Sequence, residues 1–239
     1  MGHPRFDRVI SNMQRSETGM RAAGAWLAVA SILLAAALVF HGPPSPDFGE
    51  QMSHIADGTL RWSIVHWVAA AALSSFAVAG LVALAAGSRL TEDWWTMSAW
   101  AALPIGALWT ASTAVAEATV IFEAAIVGNR AVFDAWWVFA EGMANGFAFM
   151  ALAFTIIAAN EARTSCRATP PWAARVAAAA GAASFAGWVL GSWLGVAIGA
   201  PIWVVSSLVM CLWLAWFGVS LVRVAAADVG IGQDAPLKA

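Results

Sequence analysis

Apolar residues along this chain arrive in long runs rather than in the every-third-or-fourth pattern of a water-facing helix or the alternation of a strand. Ala22–Phe40 carries no charge, Trp62–Gly87 is interrupted only by His66, and Val176–Val222 holds no charged residue over a length that suffices for two bilayer crossings. A crossing needs about 20 mostly apolar residues at about 1.5 Å rise each. The runs therefore predict an all-α fold, a polytopic membrane bundle of six transmembrane helices. The spans fall at about 22–40, 62–87, 97–127, 132–160, 175–197 and 201–223. Gly199 and Pro201 suit the tight turn and helix start that divide the last long run. A polar, amphipathic segment (1–21) precedes the bundle, and a short tail (224–239) follows it. The first apolar run is too long for the core of a cleavable leader and reads as a membrane anchor.

Composition agrees: 61% of residues are hydrophobic, 11% are charged and the mean hydropathy is +0.74, whereas a soluble domain carries about 25% charged residues. The distribution of charge says more than its sum. Of the 12 lysines and arginines, ten (Arg5, Arg8, Arg15, Arg21, Arg89, Arg163, Arg167, Arg175, Arg223 and Lys238) fall in segments on one side of the predicted bundle, and only Arg61 and Arg130 on the other. By the positive-inside rule both termini are cytoplasmic, as in a bacterial-type inner (plasma) membrane protein. Trp94, Trp95 and Trp172 then mark the inner interface, and Trp62, Trp136, Trp137 and Trp203 the outer one, the expected aromatic belts. The N-terminal arginines are few and mixed with acidic residues. That pattern suits an anionic lipid surface and not nucleic acid. Cys166 and Cys211 have no spacing that suggests a disulfide or a thiolate metal site, and no P-loop, GxGxxG, GxSxG or HExxH motif is present.

Ionisable groups inside the spans are the candidate chemistry. Each costs roughly 2.5–3.5 kcal/mol at membrane depth even on the lenient insertion scale. Counted from the outer boundary, His66 in the second span, Glu117 in the third and Glu141 in the fourth lie at similar depths, with Glu123 nearer the surface. Helical spacing groups Thr110, Thr113 and Glu117 on one stripe, Ser112, Thr119 and Glu123 on a second, Asp134, Glu141 and Asn145 on a face of the fourth span, and Ser63, His66, Ala70 and Ser74 on a face of the second. These stripes predict a polar seam among spans two, three and four, open toward the outer side. No lysine or arginine shares that depth, so a carboxylate there needs a proton, the imidazole, a metal ion or a ligand as its partner. A His/Glu set of this kind suits a divalent Fe, Mn or Zn with open coordination positions. The plain alternative is that the glutamates, with Thr113 and Asn145, only hydrogen-bond helices to one another.

The longest outer connection, "HGPPSPDFGEQMSHIADGTLRW", predicts a short amphipathic helix, started by Ser45–Pro46–Asp47 and stopped by Gly58. Phe48, Met52 and Ile55 share its apolar face, and the helix is expected to lie on the outer surface and cap the seam. His54 on its polar side is a candidate rim ligand. His41, at the end of the first span, is expected to be solvated instead. Gly187, Gly191, Gly195 and Gly199 repeat at i+4 in the fifth span, a stripe for close helix approach that serves either the sixth span or a membrane-protein or homo-oligomeric partner. Three functions fit. The foremost is binding of a metal ion or small cationic or polar ligand at an outward-facing site of His66, Glu117 and Glu141 rimmed by Glu123 and His54. The others are a proton-coupled small-molecule transporter and an accessory or assembly subunit of a larger membrane complex.

Overall fold

The computed structural model describes residues 4–42, 45, 47–165 and 167–231, with side chains over the interval 16–223. Cys166, the side chains of the N-terminal segment before Ser16 and the tail beyond Ile231 lie outside the described residues. The nine α-helices among the described residues are α1 (Pro4–His41), α2 (Phe48–Asp57), α3 (Thr59–Ala86), α4 (Trp94–Ala116), α5 (Phe122–Ile126), α6 (Arg130–Met143), α7 (Gly146–Arg163), α8 (Pro171–Trp188) and α9 (Gly199–Ile231). They supply six stretches long and apolar enough to cross a membrane, the make-up of a multi-pass membrane protein: Ser16–His41, Thr59–Ala86, Trp94–Ile126, Arg130–Arg163, Pro171–Trp193 and Gly199–Arg223.

The spans form a closed ring in chain order. α1 packs on α3, α3 on α4, α4 on α7, α7 on α8, α8 on α9, and α9 returns to α1. Small residues permit this closeness. A Cβ on Gly146 would collide with the Gly106 carbonyl and with Thr110 on α4, so any larger residue would pry α7 from α4. The predicted glycine stripe is used in the same way. A Cβ on Gly187 or Gly191 would strike the backbone of Gly199–Trp203, so these two glycines serve the close approach of the sixth span. Gly195 instead takes a left-handed conformation (φ +66°) in the turn before α9, where a side chain would be strained.

Three spans are not plain α-helices: the fifth closes on a π-helical turn, Val189–Trp193, and two others are interrupted within their length. The third contains a π-helical turn, Glu117–Ile121, between α4 and α5. The fourth, expected as a single run, is broken at Ala144–Asn145 between α6 and α7. Both are also long. At 33 and 34 residues they extend about 50 Å, against a hydrocarbon thickness of about 30 Å. The α5–α6 hairpin therefore stands beyond the end of α1 and builds a second core.

The described residues form two hydrophobic clusters. The larger runs through the ring and includes Leu27, Leu73, Phe76, Trp100, Leu103, Phe154, Leu214 and Phe217. The smaller joins Ile55, Trp62, Ile121, Phe133 and Trp137, with Phe48 and Met52 against it. Helix α2 forms where its caps predict: Asp47 accepts the Glu50 N–H at 2.9 Å, and the Gly58 N–H closes on the His54 carbonyl. The Glu50 and Gly49 backbone N–H groups hold the Asp47 carboxyl below the usual carboxylate range. Its apolar face, however, is buried on α5 and α6 rather than laid on a lipid surface, because the overshooting hairpin offers it a protein face first.

Candidate metal-binding site

Three side chains meet where the two cores adjoin. His41 is the last residue of α1, His66 lies about two turns into α3, and Glu117 opens the π turn at the end of α4. One ligand atom from each lies within 4.8 Å of the others. The His66 ring is 2% exposed and its Nε2 stands 3.0 Å from Glu117 Oε2, with Glu117 15% exposed. The His41 and His66 rings meet edge to face at 5.0 Å between centroids.

The hydrogen bonds fix which nitrogens are free. His66 Nδ1 lies 2.7 Å from the Trp62 carbonyl oxygen, and His41 Nδ1 lies 2.7 Å from the Gly42 carbonyl oxygen. A carbonyl only accepts, so each Nδ1 carries its proton and each Nε2 presents a lone pair when the ring is neutral. Zinc-type ligand histidines are held in this way, with the remote ring N–H donated to a carbonyl or carboxylate. Although His66 Nε2 is close to Glu117 Oε2, the two are not aligned for an N–H···O bond, and this buried nitrogen has no hydrogen-bond partner among the described residues. Two lone-pair atoms about 3 Å apart that do not point at each other are spaced like neighbouring ligands of one metal ion, at metal–ligand distances of about 2.0–2.2 Å.

Trp62 surrounds this group. Its indole Nε1 donates to the Glu117 carbonyl at 2.9 Å, and its ring lies over His66 at 4.1 Å and against His41 at 5.5 Å between centroids. The π turn matters here. π-bulges re-aim backbone and side chain within a helix and concentrate at functional sites.

The structure brings together His66 and Glu117, but not the rest of the expected seam. Glu141 is exposed and accepts the Trp137 indole N–H at 3.1 Å. Glu123 and His54 are exposed and do not belong to the cluster. Thr113 Oγ1 donates to the Ala140 carbonyl at 2.8 Å, tying α4 to α6. Asn145, at the break, accepts indole N–H bonds from Trp188 at 3.1 Å and Trp193 at 2.6 Å. These two polar residues are helix fasteners. His41, expected to be solvated, is the third member of the cluster, and Trp62, read as belt, is its closest neighbour. The depth count would have placed His41 beside the outer part of α3, because it terminates the preceding antiparallel span. A buried acid, Glu161, falls just past the predicted end of the fourth span. It sits at the opposite end of the bundle, 3.6 Å from Arg89. No protein-family model, curated protein or solved structure matches the chain.

Proposed function

We propose that this protein is a multi-pass inner-membrane protein that binds one divalent transition-metal ion, of the Fe, Mn or Zn class, through His41, His66 and Glu117. The observation that carries this reading is the buried, unpartnered Nε2 of His66 beside the Glu117 carboxylate, with both histidines donating their other ring N–H to a carbonyl. Two imidazoles and one carboxylate suit borderline metals. They leave coordination positions for water or a small ligand, the pattern of catalytic rather than structural centres. A small swing of the half-buried His41 ring completes the set.

The biased arginines support the topology: Arg89 and Arg163 lie at the end opposite the site, so the site faces the extracytoplasmic side with both termini in the cytoplasm. Exposed Leu60, Ile64, Ile105, Leu108, Val205 and Leu212 suit contact with lipid chains. A phosphatase reporter that is active only outside the cytoplasm stays silent when fused after Ile231 and becomes active when inserted after Gly128; the reverse pattern overturns the orientation.

Metal content of detergent-purified protein tests the site. The wild type is expected to retain about one equivalent of zinc or cobalt after dialysis, with loss of about 100-fold or more in affinity for His66→Ala and Glu117→Gln, beyond the range of outer-sphere effects. Equal metal content in all three proteins overturns the reading.

A further inference from the structure

Trp62 touches every member of the cluster, and it does so through different atoms. Its main-chain carbonyl takes the His66 Nδ1–H, its indole N–H takes the Glu117 carbonyl, and its ring faces both imidazoles. The indole bond joins residues 55 apart in the chain and fastens the start of the π turn to α3. In a regular α-helix a carbonyl is engaged along the axis by the N–H four residues on. In a π turn the ladder is widened to five, and a carbonyl there is free to tip toward an outside donor. The side chain of Glu117 projects from the same residue whose carbonyl is held. The direction of the carboxylate and the indole bond are therefore mechanically coupled, over a single Cα.

We propose that Trp62 is the positioning residue of the metal site: its indole N–H, by holding the Glu117 main chain at the π turn, sets the separation between the Glu117 carboxylate and the two imidazoles. This inference rests on the metal-binding reading above. It places in the outer coordination sphere an aromatic residue whose location alone would assign it to the interfacial belt. Removing an outer-sphere partner of this kind typically lowers metal affinity by roughly 10- to 100-fold while leaving the ligands in place. The ring packing is separable from the hydrogen bond, because phenylalanine keeps a flat apolar ring of similar placement and lacks the donor.

The experiment is a cobalt(II) titration of the full-length protein in detergent, followed by the visible d–d absorption of the bound ion. Wild type is expected to give a one-to-one titration with intense d–d bands, and Trp62→Phe a roughly 10- to 100-fold weaker affinity with shifted bands, showing altered geometry rather than simple loss of protein. Replacing Trp62 with 3-benzothienylalanine keeps the bicyclic shape and removes only the N–H. It should reproduce the Phe phenotype, and it decides the matter if the Phe variant does not fold. Wild-type affinity and an unshifted spectrum in the benzothienyl protein overturn the positioning role while leaving the metal site standing. Absence of cobalt binding by the wild type overturns the metal site itself, and the positioning role with it.

Discussion

Glu117, 15% exposed, and Glu161, buried, are carboxylates near the ends of long helices, and their surroundings are opposite. Glu161, 3% exposed, is saturated. Its Oε1 accepts the backbone N–H of Thr169 at 2.9 Å and that of Ala168, and its Oε2 lies 3.6 Å from the Arg89 guanidinium. Thr169 in turn accepts the Trp213 indole N–H, so one acid ties the α3–α4 connection, the end of α7, the start of α8 and α9 together. Glu117 has no such set of donors: the nearest nitrogen is one whose proton, when the ring is neutral, has gone elsewhere. A buried charge with fixed donors on every side is a fastener. One that faces further lone pairs needs a cation to complete it.

The largest test of this contrast is stability without metal. Glu161→Ala strands Arg89, the buried Thr169 N–H and the part-buried Ala168 N–H, and is expected to cost about 3–5 kcal/mol, read by reversible unfolding in mixed micelles. Glu117→Gln removes a charge that no donor compensates, and metal-free stability should stay within about 1 kcal/mol of wild type. Equal losses in the two variants would erase the distinction between fastener and site.

A smaller effect concerns the second core, which adjoins the Glu117 end of the bundle. Helix α2 covers that core by packing on α5, and it is held at its start by Asp47. That carboxyl is depressed in the folded state by the Glu50 and Gly49 N–H groups, so its contribution is present above the ordinary aspartate value, about 3.9, and disappears as pH falls through the lower folded value. Hydrogen exchange should show α2 amides of Asp47→Ala exchanging faster than wild type at pH 7. The difference should vanish below both values, with the ring helices unchanged throughout. Equal protection of α2 in the two proteins at pH 7 would remove Asp47 as the element that holds this covering.

The chain in isolation determined the six stretches long and apolar enough to cross, the capped helix at 48–57 and the common level of His66 and Glu117. Each of these follows from length: rise per residue is a linear count from a boundary, and small errors stay small. What only the tertiary structure decided was rotation. Each residue advances a helix by about 100°, so one widened turn, such as Glu117–Ile121, or one break, such as Ala144–Asn145, re-aims every side chain beyond it. Beyond these defects Glu141 pairs with an indole on its own helix and Glu123 is exposed, whereas His41 ends an unbroken helix and reaches the cluster through the packing of α1 on α3. Apolar periodicity cannot register such defects in lipid, where nearly every face of a helix is apolar and no hydrophobic stripe marks the inward side.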